Sequence, residues 1–282
     1  MTVPRVLTVA SSDCSGGAGI QADLKAFARC GAHGMSVIVA LTAQNTVEVT
    51  DVHEVPPEHV RAQLDAVLDD IGADAAKTGM LFSAPLIHAV VEALTTRRLP
   101  LVVDPVMVAS SGARLLRDDA VAALLTRLFP IATVVTPNLP EAQALTGLNT
   151  QDRAMLAERL VARGARAAIV TGGHGTHPVD HLFDGVHHVD IPVARYEVAA
   201  THGAGCTHSA ALAASLAAGM PLVDAARRAA AVAGEAVRHG LVELGAGEGP
   251  VHALFAAGDG RAGERPPLGS AAPDRTRSQV AP

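Results

Sequence analysis

Gly203-Ala204-Gly205-Cys206 is the stretch of this chain whose residue types and spacing are best suited to chemistry. Two glycines flank a small residue, a cysteine follows, and an Ala- and Leu-rich helical pattern then begins. Glycines let the backbone close around a ligand, and unpaired amides at a helix start attract anions. The spacing therefore predicts a phosphate-sized anion site beside a thiol. A helix N-terminus is expected to lower the Cys206 pKa and make the thiol a base or an activated polar group. The competing reading is a small buried hydrophobe. His202 adjoins the turn and merits attention, whereas His208 and the remaining histidines are expected to be mostly surface or capping residues.

Two carboxylates stand in matching places. Asp104-Pro105-Val106-Met107 and Asn138-Leu139-Pro140-Glu141 each follow an apolar, strand-like run. A carboxylate at each of two strand ends can hold Mg²⁺, directly or through water, against phosphate oxygens. A lone Glu141 would instead be a first-turn residue favoured by the helix dipole. In Thr42-Ala43-Gln44-Asn45-Thr46, the Gln44 carboxamide can donate and accept together, as recognition of a heteroaromatic ring edge requires. Asn45 reads as a turn residue.

Gly17-Ala18-Gly19-Ile20-Gln21-Ala22 fits G-x-G-x-x-A, but a dinucleotide fingerprint needs an acidic residue about 20 positions on. Leu41-Thr42-Ala43 stands there instead, which favours a Gly-opened pocket for a small substrate. Asp13 and Asp23 bracket that loop, and either could be a simple cap or turn residue. Neither lysine, Lys25 or Lys77, follows a glycine, so a P-loop is excluded. A nucleotide phosphate would have to be held by backbone amides and a metal.

The elements that must position these groups alternate along the chain. Val6–Ala10, Ser36–Leu41, Ala75–Thr78, Leu101–Val103, Thr133–Thr136 and Ala167–Thr171 read as strands buried on both faces. Amphipathic helices are expected over His59–Ile71, Ser83–Thr95, Asp118–Leu128 and Arg153–Arg163, with Ala-rich helices over Ser209–Ala218 and Leu222–His239. Such alternation predicts an α/β fold with a mostly parallel sheet flanked by helices on both faces. Asp184–Pro192, with its Asp184-Gly185 turn, predicts a small antiparallel hairpin at the edge. The polar segments fall at the carboxyl ends of the strands, where open parallel sheets bind ligands. From about Gly258 the composition turns to Gly, Arg, Pro and Ser, which predicts one domain over 1–257 and a disordered tail over 258–282.

Composition narrows the function further. The 282 residues are 49% hydrophobic and 18% charged, enough for a large core, and aromatics are only 2%, so Ala, Val and Leu must fill it. The net charge is −6 and no dense Lys/Arg cluster occurs, which argues against a nucleic-acid or membrane surface. Cys14, Cys30 and Cys206 have no metal-site or disulfide-framework spacing. With no signal-peptide pattern and no apolar run of about 18 residues, the expectation is a soluble cytoplasmic protein.

Taken in order, Ser12–Lys25, Thr42–Thr46, Lys77–Met80, Asp104–Val108, Thr136–Ala142, Gly172–His174 and Thr201–Ala211 resemble the hydroxymethylpyrimidine/phosphomethylpyrimidine kinases of thiamine biosynthesis. The resemblance runs from about residue 5 to 255, and the cysteine after the glycine turn separates this branch from most ribokinase relatives. It implies a ribokinase-like fold, ATP and Mg²⁺ as cofactors, a small pyrimidine as substrate, two successive phosphorylations, and a homodimer. It further implies that Gln44 binds the aminopyrimidine, with Met80, Val108, Ala18 and Asp23 in the same pocket. Gly203, Ala204, Gly205 and Cys206 would form the anion hole and orient or deprotonate the substrate hydroxyl. Asp104, Asn138 and Glu141 would serve metal and phosphate. The chain departs from the family at Ser11, Ala200, Thr171 and Ser110; the last two replace lysines near the nucleotide phosphates, a loss that Arg114 or another arginine would have to offset. Readings of other kinds are a pyridoxal-type kinase of the same fold, a hydrolase or acyltransferase using Cys206 with His202, and a non-catalytic pyrimidine-binding protein.

Overall fold

Strands apolar at every position need cover on both faces, and the six such runs in this chain form the centre of one sheet. In the computed structural model, which describes residues 2–108, 112, 115–173 and 178–255, the chain order is β1 (Arg5–Asp13), α1 (Gly19–Arg29), β2 (His33–Gln44), β3 (Val49–Glu54), α2 (Pro57–Asp70), β4 (Ala75–Thr78), α3 (Ala84–Thr95), β5 (Leu101–Val103), α4 (Asp118–Ala123), β6 (Val134–Val135), α5 (Leu139–Thr146), α6 (Arg153–Ala162), β7 (Ala168–Val170), β8 (Val179–Phe183), β9 (His188–Pro192), α7 (Ala204–Ala217) and α8 (Leu222–Arg238). The nine strands run β3-β2-β1-β4-β5-β6-β7-β8-β9 across the sheet. The six from β2 to β7 in that order are parallel, while β3 and the β8–β9 hairpin are antiparallel to their neighbours.

Alternate strand residues serve opposite faces. Leu7, Val9, Ala76, Leu101, Val103, Val135, Ala168 and Val170 pack against α2, α3, α4, α5 and α6. Val6, Val102, Val134 and Ile169 pack against α1, α7 and α8. The second layer is built from Ala210, Ala211, Ala213, Ala214, Ala225, Ala226, Ala229 and Ala230. Small side chains there let α7 and α8 approach closely, which is how a chain so poor in aromatics fills its interior.

The expected strands all form, but several boundaries move. The hairpin's first strand is Val179–Phe183, and Asp184 opens the turn by accepting from the Val186 and His187 amides at 2.8 and 2.7 Å. The expected Asp118–Leu128 helix is α-helical only to Ala123, then widens to a π turn over Leu124–Leu128. The helix expected from Ser209 starts at Ala204, because Gly203 (φ 84°) supplies a left-handed start directly before it. The 258–282 tail, together with Ser110, Arg114 and His174, lies outside the described residues. Among the described residues no helix is long and apolar enough to cross a membrane.

One residue breaks the apolar rule of the central strands. Lys77 in β4 is fully buried, and its ammonium lies 2.9 and 3.0 Å from the two oxygens of Asp23 on α1. Removing one partner of a buried ion pair leaves an uncompensated charge, which typically costs about 3–5 kcal/mol. Lys77→Met should therefore lower the unfolding free energy by that order in a urea titration. A Lys77→Met/Asp23→Leu double variant should recover much of the loss.

Candidate active site

Lys77 is the hub of a buried polar chain on the α1/α7 side of the sheet. Asp23 also accepts from Thr8 Oγ1 at 2.6 Å, and Asp104, at the end of β5, lies 3.9 Å from Lys77 and accepts from Ser209 Oγ of α7 at 2.8 Å. Burial lowers the Lys77 pKa, but the charges of Asp23 and Asp104 outweigh it and hold the ammonium well above the ordinary lysine value. Asp23 was expected in the substrate pocket; it is instead fully enclosed, with both oxygens committed to Lys77 and Thr8.

The glycine turn before α7 lies against the β1–α1 loop. A Cβ on Gly203 would come within 1.9 Å of the Gly17 carbonyl oxygen, and one on Gly17 within 2.2 Å of the His202 ring. Both glycines are required by this close approach. The first helical turn, Ala204-Gly205-Cys206, has no side-chain cap, and the Gly205 and Cys206 amides have no main-chain acceptor among the described residues. Amides so placed at a helix start can meet an anion.

The thiol itself departs from expectation. Burial, with the Asp23 and Asp104 charges adding to it, pushes Cys206 up to about 12 despite Lys77 and a hydrogen bond from the Gly19 amide. The helix start does not lower it, because two carboxylates and the loss of water outweigh the dipole. At rest the group is a neutral thiol.

Asp13 organises the β1–α1 loop. Its Oδ1 accepts from the Ser15 amide and hydroxyl at 2.8 and 2.7 Å, and its Oδ2 from the Gly17 and Ala18 amides at 3.1 and 2.8 Å. His202 Nε2 lies 3.1 Å from Oδ2. Burial acts against the charged form, but the bonds from His202, Ser15 and Ala18 hold Asp13 at about 2. Ala18, expected at the substrate, spends its amide on Asp13 and keeps only its half-buried methyl for other contacts. Gln44 ends β2, with its Nε2 3.4 Å from His202 Nε2 and its Oε1 3.2 Å from Thr42 Oγ1. Asn45 holds the following turn by accepting from the Val47 and Glu48 amides, as expected. Met80 is buried beside Ala40, Leu115 and Val106; Val108 stands outside that cluster, half exposed.

The acidic pair is brought together. Glu141 closes a capping box with Asn138, whose Oδ1 accepts the Glu141 amide at 2.9 Å while Glu141 Oε2 accepts the Asn138 amide at 3.0 Å. Glu141 is thus a cap, but not an isolated one: burial first, then the Asp104 charge, raise it to about 7. Two carboxylates that repel each other at the edge of the anion hole suit a divalent cation held partly by phosphate and water. Among the described residues no group of three or more His, Cys, Asp or Glu stands where it could hold a metal ion. The buried hydroxyls of Thr78, Thr136 and Thr207, at the same edge, have no hydrogen-bond partner, and a bound polar group or water would satisfy them.

Sequence reasoning missed several contributors. Lys77 and Ser209 lay within the stretches that match the family but carried no assigned role, and Thr8 sits in the middle of β1 with no motif around it. His202, His208 and His181 are buried exceptions among histidines that are otherwise mostly at the surface among the described residues. His208 Nε2 lies 3.2 Å from Asp180 Oδ2, and Asp180 Oδ1 accepts the Gly172 amide at 2.7 Å, so the residue after Thr171 is tied toward α7. Thr171 itself forms a bridge with Asn138. A cavity of about 490 Å³, lined by Leu94, Arg98, Leu99, Pro130, Ile131 and Arg166, opens at the opposite, amino ends of β5–β7 and takes no part in the site.

Glu141 gives the site a pH signature. Its folded pKa of about 7 exceeds the ordinary glutamate value of 4.5, so its contribution favours the folded state at low pH and is lost as pH rises through 4.5 to about 7. Glutamine also fits a capping box. Glu141→Gln should flatten that part of the stability-versus-pH curve in thermal melts without ligand, and raise stability above about pH 7.

The chain resembles known proteins over most of its length. A hydroxymethylpyrimidine/phosphomethylpyrimidine kinase of Rhizobium meliloti is 48% identical over 253 residues, covering 87% of this chain and 95% of the relative. The thiamine biosynthesis bifunctional protein ThiED of Geobacter sulfurreducens is 50% identical over 263 residues, 91% of this chain, although the chain spans only 53% of that longer protein. The fold superposes on an ADP complex of Bacillus subtilis pyridoxal kinase with a TM-score of 0.82 at 36% identity, covering 90% of this chain and 98% of the other. With the phosphomethylpyrimidine kinase model matching residues 13–252, the chain belongs to that family.

Proposed function

We propose that this protein transfers the terminal phosphoryl group of ATP to the hydroxymethyl oxygen of 4-amino-5-hydroxymethyl-2-methylpyrimidine, and then phosphorylates the resulting monophosphate. The observation that carries this reading is one site in which His202 joins Gln44 to the Gly203–Cys206 turn, in a chain 48% identical to a kinase named for that substrate. The pyridoxal kinase likeness, at 36% identity, supports the same chemistry on a related alcohol and is the second reading.

Each group then has a part. The Gly205 and Cys206 amides donate to the oxygens of the transferring group, where preformed donors contribute most in phosphoryl transfer. Cys206, protonated at rest with a pKa of about 12, orients the substrate hydroxyl by hydrogen bonding rather than removing its proton beforehand. Asp104 and Glu141 would hold Mg²⁺, which when bound offsets the negative charge of the phosphates. Gln44 recognises the ring edge, and Met80 and Val108 offer it apolar surface. Thr171 places no charge where relatives are expected to carry lysine, so nucleotide binding leans on the backbone donors.

An ADP-release assay with the pyrimidine alcohol and, separately, with its monophosphate tests the proposal; no ADP from either substrate refutes it. Gly203→Ala should lower kcat on the order of 10²–10³, the loss typical of a spoiled backbone donor. Cys206→Ser should stay within about tenfold of the native enzyme, since serine can also orient a hydroxyl, whereas loss of an obligatory base would cost about 10²–10⁴.

A further inference from the structure

The hydrogen-bond inventory around His202 determines how Gln44 faces its ligand. Asp13 is a carboxylate at neutral pH and accepts only, so His202 Nε2, 3.1 Å away, carries a proton and donates it. Gln44 Nε2 lies 3.4 Å from that same nitrogen. Two N–H groups cannot face each other. A half-turn of the carboxamide exchanges its oxygen and nitrogen at the same two positions and places the carbonyl oxygen opposite His202, where it shares the single Nε2 proton with Asp13 in a three-centre bond.

The other end of Gln44 agrees. Thr42 Oγ1 lies 3.1 Å from the Ser12 carbonyl and 3.2 Å from the second Gln44 terminal atom. The hydroxyl has one proton, and Ser12, which can only accept, takes it. Thr42 Oγ1 is then free to accept, so the nitrogen of Gln44 belongs beside it. Both anchors select the same orientation. Each leaves one capacity over: a second N–H on the nitrogen and a second lone pair on the oxygen, side by side on a half-buried residue.

We propose that His202 is a positioning residue that fixes the Gln44 carboxamide, so that the site selects a ring edge carrying an amine beside an unprotonated ring nitrogen. The amine donates to the Gln44 oxygen and the ring nitrogen accepts from its N–H, the pairing by which a carboxamide recognises adenine. This deepens the pyrimidine kinase reading and rests on it. A ring edge with the reverse pattern, a carbonyl beside a ring N–H, would need Gln44 turned over and would place two donors against each other at His202. Because Gly203 follows His202 directly, and the His202 ring packs on Gly17, the same side chain spaces the recognition edge from the anion hole.

The test compares kcat/KM for the 4-amino substrate with that for its 4-oxo analogue in native protein, His202→Ala, His202→Gln and Thr42→Val. Glutamine places a donor nitrogen near the position of histidine Nε2. The native enzyme should favour the amino compound strongly. His202→Ala should raise its KM on the order of tenfold and shrink the amino/oxo ratio by about tenfold or more, while the KM for ATP changes by less than about twofold. His202→Gln should restore the ratio to within about threefold of native, and Thr42→Val should shrink it as His202→Ala does. An unchanged ratio in His202→Ala, or in Thr42→Val if the alanine variant does not fold, overturns the proposal while leaving the kinase reading intact. A native enzyme inactive on the amino compound overturns the reading beneath it.

Discussion

Lys77 is a positive charge sealed inside a parallel sheet, and much of the site is arranged to neutralise it. Such a charge is tolerated only when paired and hydrogen-bonded. Asp23 reaches it from α1 and Asp104 from the end of β5, while Thr8 and Ser209 hold those carboxylates from β1 and α7. Four strands and helices are thereby fixed to one ammonium. The α7 start, which carries the anion hole, is positioned by the same chain of contacts.

That network also sets the charge state of its neighbours. Burial, with the Asp104 charge added, raises Glu141 to about 7, and burial with the Asp23 and Asp104 charges keeps Cys206 protonated. The site therefore meets its ligands with a neutral thiol, a carboxylate pair short of positive charge, and unpaired helix amides. Incoming phosphates find donors in place, and a cation finds two carboxylates whose repulsion it relieves. The proposed division of labour rests on these charge states: backbone amides would meet developing charge, while Cys206 would align the hydroxyl.

Much of this was legible in the sequence, for identifiable reasons. Six apolar runs announced the parallel strands because burial on both faces leaves a continuous signature. Gln44, Asp104 and Glu141 could be read as candidates because they stand at or just past the carboxyl ends of β2, β5 and β6, and the Gly203–Cys206 turn because two glycines mark a helix start. The edge strand β3 could not: Val49–Glu54 is short and half exposed, with the alternation of its residues broken by charge. The Lys77–Asp23 pair was hidden because the two residues are far apart in sequence and meet only through the packing of α1 on β1, the strand paired with β4. The thiol was misjudged for a similar reason. A helix start is visible locally, but the carboxylates and burial that outweigh it come from distant segments. His202 showed only its neighbour Gly203, whereas its partners Asp13 and Gln44 arrive from β1 and β2.

The central claim is that this surrounding charge leaves Cys206 a neutral thiol, so that the amides of the turn carry the phosphoryl group. Its most direct measurement is thiolate absorbance against pH in a Cys14→Ser/Cys30→Ser background, where Cys206 alone titrates. The account predicts no thiolate between about pH 7 and pH 10, with titration only near the pKa of about 12 set by burial and the two carboxylates. A midpoint near or below about pH 8 would contradict it and restore the thiolate as the base.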